Sequence, residues 1–78
     1  MKTVNVILNS ILDVKAFVSI VSKYNFDIDL TSGRYVVDAK SIMGIFSLDL
    51  TKPIKLTAHA DDKDTEKFFE EIKPFKTD

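Results

Sequence analysis

The sequence predicts an α+β domain, a four-stranded antiparallel sheet with three helices on one face, in the order β-α-β-β-α-β-α. Four stretches alternate apolar and polar residues, the pattern of strands that bury one face and wet the other. Three others repeat apolar residues at helical spacing. The 78 residues contain no cysteine, so neither disulfides nor thiolate-bound metal can staple the chain. A single domain spanning residues 1–78 must then rest on regular secondary structure and one continuous core.

Each element has its own signal. Residues 3–8 place Val4, Val6 and Leu8 on one side and Thr3, Asn5 and Ile7 on the other. Ser10 and Asp13 have the spacing of a capping box, with Asp in place of the usual Glu. Val14, Phe17, Val18 and Val21 then form the stripe of a helix from about residue 11 to Tyr24, with Asn25 suited to a left-handed closing position. Phe26, Ile28 and Leu30 alternate with Asp27, Asp29 and Thr31 as a second strand, and Ser32-Gly33 turns the chain. Tyr35, Val37 and Ala39 oppose Val36 and Asp38 in a third strand, which closes a hairpin. A short helix follows over about 41–48. Pro53 opens a fourth strand, with Ile54, Leu56, Ala58 and Ala60 against Lys55, Thr57 and His59. Asp61, Asp62, Asp64 and Glu66 crowd the start of the last helix, Phe68, Phe69 and Ile72 form its buried stripe, and Lys73-Pro74 ends it. The uncovered sheet face should carry Asn5, Asp27, Asp29, Lys55, Thr57 and His59.

Composition excludes several classes of function. Eleven basic and 12 acidic residues are interspersed along the chain, for a net charge of −1, whereas a nucleic-acid binder normally shows a basic stripe. The first ten residues are too short and polar for a secretory signal, and no segment approaches a membrane span, so a soluble cytoplasmic domain is expected. No cofactor or metal site is expected. His59 is the only histidine and has no converging donors in sequence. The Asp61–Asp64 acids lack the twelve-residue calcium-loop pattern. Ser10 has no base within sequence range that would make it a nucleophile.

"SKYNFDIDL" (22–30) followed by "AKSIMGIFSL" (39–48) resembles HPr, the small phosphocarrier of the bacterial sugar phosphotransferase system. Lys40-Ser41-Ile42-Met43-Gly44 is the most specific part, and the element order and length extend the resemblance over essentially the whole chain. It implies an open-faced β-sandwich and a phosphate-carrying histidine, within His-Ala-Arg-Pro-Ala, just before the first helix. Counting back without gaps from Ser22-Lys23-Tyr24 puts Ser10 at the histidine, and Ile11-Leu12-Asp13-Val14 replaces the rest. The histidine and its phosphate-holding arginine are both gone. Asp13 puts an acid where a phosphoryl group needs a positive neighbour.

The same resemblance makes Ser41 the serine that a dedicated HPr-type kinase phosphorylates in Gram-positive relatives, whose product partners a catabolite-control transcription factor. Its local reading is a helix N-cap, and the two roles are compatible. Helical geometry places Ile45 and Leu48 on one face, with Ile42 bordering it, and Met43 and Phe46 on another. One short helix does not bury both faces against a single sheet. Lys40, Ile42, Met43 and Phe46 are therefore expected to form a protein-docking surface. The expected function is a non-catalytic regulatory or interaction protein with protein partners, not an enzyme. The alternatives are a phosphocarrier using His59 or Ser10 as acceptor, and a self-associating module that exchanges its first strand, a monomer or weak homodimer in solution.

Overall fold

The computed structural model describes residues 2–77. The elements run β1 (Lys2–Val6), α1 (Ile11–Val21), β2 (Asp27–Ser32), β3 (Tyr35–Asp38), α2 (Ile42–Phe46), β4 (Ile54–His59) and α3 (Asp62–Glu71), then a 3-10 turn, Lys73–Phe75. All strand pairs are antiparallel, in the order β1-β4-β2-β3. β4 thus enters the sheet between β1 and β2. The expected fold class and element order are both present.

The core lies between the sheet and the helices. Val4, Val6, Ile28, Leu30, Ile54, Leu56 and Ala58 from the strands meet Val14, Phe17, Val21, Ile45, Phe68 and Ile72 from the helices, all buried. These are the inward positions of the two periodicities, and burying each large side chain contributes about 1.5–3 kcal/mol. Phe17 meets the Phe75 ring edge-on, and Phe68 packs against Tyr24, Phe26 and Phe69. The other sheet face carries Asn5, Asp27, Asp29, Lys55, Thr57 and His59 as expected, all exposed or half-buried.

Several boundaries differ from the sequence reading: β1 ends at Val6 where the alternation ran to Leu8, and the helix ends differ more. α1 stops at Val21, not near Tyr24, because its last turn tightens: Lys23 and Tyr24 amides bond the carbonyls of Ile20 and Val21, three residues back. Asn25 takes no left-handed conformation, since Gly33 is the only described residue with positive φ. The Tyr24 carbonyl is capped instead by the Lys40 amine at 2.7 Å, which removes the need for a left-handed closure. α2 is limited to Ile42–Phe46, shorter than the expected 41–48, and Leu48 is still buried beyond its end.

Gly33 at φ 60 is the first central residue of the two-residue hairpin loop between Ser32 and Tyr35, and no other described residue has positive φ. This is the II′ pattern, whose twist matches that of the flanking strands. Gly44 serves a different need. A Cβ there would lie 3.2 Å from both the Val37 Cβ and the Ser41 Oγ, so the glycine lets α2 settle directly on β3.

Candidate functional site

Two helix starts hold the sequence-predicted site residues. At α1, Ser10 is the N-cap and its hydroxyl accepts the Asp13 amide at 3.1 Å. Asp13 reaches back to accept the Asn9 amide at 3.1 Å, one residue ahead of the amide that the reciprocal bond of a capping box takes. The residues following the cap are Ile11 and Leu12, 62% and 77% exposed. Sequence reasoning placed them only as replacements in a lost motif. Helical spacing puts Leu12 opposite the Val14-Phe17-Val21 stripe, the signal that marks it as surface, whereas Ile11, three residues before Val14, only borders the stripe. A hollow beside Asp13 is lined by Asn9, Phe75 and Lys76, the last two brought there by the C-terminal segment.

At α2, Ser41 is the N-cap and its exposed hydroxyl accepts the Gly44 amide at 3.1 Å. Its own amide donates to the Asp38 carbonyl at 2.9 Å. Lys40 precedes it, but its amine is held by Tyr24, at the end of α1. Part of the expected docking role of Lys40 is thus taken up by tying α1 to the β3–α2 connection. Ile45 is fully buried and Leu48 nearly so, Ile42 is half-buried, and Met43 and Phe46 are 76% and 40% exposed. This is the division that the two helix faces imply.

His59 lies elsewhere. It stands on the uncovered sheet face, opposite Asp27 across β2–β4, and its Nε2 is 2.7 Å from Asp29 Oδ2. Neither Ser10 nor Ser41 is among the residues lining its surroundings, which are Asp27, Ile28, Asp29 and Asp38. Among the described residues no His, Asp and Glu side chains converge as a metal-holding group, and no helix is long and apolar enough to cross a membrane.

The ends of α1 and α3 are clipped by ionisable side chains. Glu71 accepts from the Tyr24 hydroxyl and pairs with Lys23 at 2.5 Å. Burial, then the hydrogen bond to Glu71 and its charge, push the Tyr24 phenol up to about 12. The hydrogen bonds from Lys23 and Tyr24 hold the Glu71 carboxyl below its ordinary value. The clip fixes Tyr24, whose carbonyl in turn holds Lys40.

The comparisons with known proteins agree with this geometry. A family model, PTS-HPr, described as "PTS HPr component phosphorylation site", matches residues 13–77. The chain belongs to the HPr family of the phosphotransferase system. HPr-C-His from Thermoanaerobacter tengcongensis is similar in structure, with a TM-score of 0.73 and 29% identity over 94% of this chain and 92% of that one. A phosphocarrier protein HPr from Bacillus anthracis str. Ames gives 0.71 and 27%, over 95% and 93%. No curated protein sequence matches the chain. Ser10 falls outside the span matched by the family model, whereas Lys40 to Leu48 falls inside it.

Proposed function

We propose that this HPr-family protein acts as a non-catalytic regulatory or interaction protein, with the Ser41 helix as its switchable docking surface. The observation that carries the reading is the pairing of a complete Lys40–Leu48 segment with a phosphocarrier position that holds serine in place of histidine. Met43 and Phe46 are exposed on the outer side of that segment and give it adaptable apolar contact area. At the other helix start, Asp13 puts an acid where a phosphoryl group would need a positive neighbour, and the Ser10 hydroxyl accepts the Asp13 amide as a cap.

Phosphate on Ser41 would add about −1.5 to −2 charge at the mouth of the docking surface. A partner presenting cationic groups around an apolar pocket would then distinguish the two states. Partners of the family's kind fit this role: an HPr-type kinase that writes the phosphate and a catabolite-control transcription factor that reads it, both in the cytoplasm. Incubation with such a kinase and ATP, followed by peptide mass spectrometry, should place one phosphate on Ser41. An unmodified Ser41 removes the switch. Alanine at Met43 and Phe46 should abolish capture of the partner, and unchanged capture removes the docking role.

A further inference from the structure

The sheet has two outer strands, and only one of them is closed. Along β1 the C-terminal segment runs as a partial extra strand. Lys76 bridges Val6, the Ile7 amide donates to the Phe75 carbonyl at 2.8 Å, and the Thr77 amide donates to the Asn5 carbonyl at 3.1 Å. β3 has β2 on one side and no described strand on the other.

The unpaired side of β3 is defined by its register. Tyr35 pairs with Ser32 across the two-residue loop, Val37 pairs with Leu30, and the Ala39 amide donates to the Ile28 carbonyl at 2.9 Å. Odd-numbered residues therefore turn their main-chain groups toward β2. Antiparallel alternation turns those of Val36 and Asp38 outward. Tyr35 and Val36 are also 71% and 61% exposed, on opposite faces of the strand.

We propose that β3 pairs antiparallel with β3 of a second copy of this chain, about a two-fold axis through Val36, joining the two sheets into one. In that register each Val36 amide meets the other Val36 carbonyl, and each Asp38 amide meets the carbonyl of the partner's Arg34. The Asp38 carbonyl already accepts the Ser41 amide, so the amide is the contributing group there.

Charge selects this register. Arg34-Tyr-Val-Val-Asp38 reads cation, apolar run, anion, and the two-fold axis sets Arg34 against the partner's Asp38 at both ends. Among the described residues the Arg34 guanidinium forms no ion pair. Asp38 uses Oδ1 on the Lys40 amide at 2.9 Å, which leaves Oδ2 for the guanidinium. Sliding the pairing by two residues, to centre on Val37, opposes Arg34 to the partner's Lys40 and Val36 to the partner's Asp38. It also stacks α2 on α2, because α2 sits directly over Val37 at Gly44. Helices one strand spacing apart, about 4.8 Å, would overlap, since they pack at roughly 8–10 Å. Centring on Val36 staggers them. A net charge of −1 per copy opposes the association little. The short edge and two-fold symmetry close the pairing at a dimer.

Sedimentation velocity on the full chain, taken to millimolar concentration, tests the proposal, which is independent of the Ser41 reading. The unmodified protein should show a reversible monomer–dimer equilibrium. Arg34→Glu should raise the dissociation constant about tenfold, since two attractive cross-strand pairs become repulsive. Adding Asp38→Lys to it should restore association. Val36→Pro should abolish the dimer while leaving circular dichroism unchanged, because the amide it removes points away from β2. A protein monomeric throughout, or a dimer insensitive to Val36→Pro, overturns the proposal, and the second result would point to exchange of β1.

Discussion

The starts of α1 and α2 are built by the same device but differ in the residue that follows it. Each opens on a serine whose hydroxyl accepts the amide three residues on at 3.1 Å. At Ser10 the third residue is Asp13, whose carboxylate returns to the Asn9 amide and sets a negative charge beside the cap. At Ser41 the third residue is Gly44, which has no side chain and lets α2 rest on Val37. The serine keeps its geometry, and the approach to it stays free of acid from that position. Local capping geometry therefore does not distinguish a structural serine from a regulatory one. In the function proposed above, the side chain in the third position is what separates the two sites.

The two helices are also anchored unequally, and that gives the largest expected effect. α1 holds the core with Val14, Phe17 and Val21, whereas within α2 only Ile45 is fully buried. Ile45→Ala should cost about 2–5 kcal/mol in denaturant unfolding. It should also weaken partner capture through the Ser41 surface. A loss near zero would show that α2 is held by something other than its core anchor.

Ser10→Ala and Ser41→Ala remove equivalent caps, and each should cost about 1 kcal/mol. Ser41→Asp keeps a good capping oxygen and should unfold at nearly the denaturant concentration of the unmodified protein. A much larger loss at Ser41 than at Ser10 would break the equivalence of the two caps.

The clip at the far end of α1 gives a pH-dependent prediction. A phenol whose pKa is raised from 10.0 to about 12 contributes stability that is fully present below pH 10.0 and is lost as pH rises toward 12. Glu71, lowered by its bonds to Lys23 and Tyr24, contributes stability present above the ordinary carboxylate range and lost as pH falls through its lowered pKa. Thermal melts against pH should show both flanks. Tyr24→Phe should remove the alkaline one, and a Tyr24→Phe profile identical to the original would remove the clip from the account.

The smallest stability effect is expected on the docking face itself. Met43 is 76% exposed, so Met43→Ala should change unfolding by no more than about 0.5 kcal/mol while still impairing partner capture. A larger destabilisation would mean that Met43 packs against the domain.

Most of this architecture was legible in the residues. Alternation located all four strands, and helical spacing separated buried Ile45 and Leu48 from exposed Met43 and Phe46. The end of α1 was not legible, because Lys40, distant in sequence, caps Tyr24 and makes a closing Asn25 unnecessary. Nor was the closure of the β1 edge by Phe75, Lys76 and Thr77, where long-range main-chain bonds leave no periodic signal in so short a segment. At the site, the two serine caps and the outward side of Leu12 followed from spacing, while the 62% exposure of Ile11, which borders the buried stripe, depended on how α1 is rotated against the sheet.

The contrast between Ser10 and Ser41 comes down to which of them receives a phosphate. Two parallel reactions decide it by intact-mass and peptide mass spectrometry: one with phosphoenolpyruvate and the first enzyme of the phosphotransferase system, the other with an HPr-type kinase and ATP. The account predicts no phosphate in the first and a single phosphate on Ser41 in the second. An acid-labile phosphate on His59, or any phosphate on Ser10, from the first reaction would contradict it.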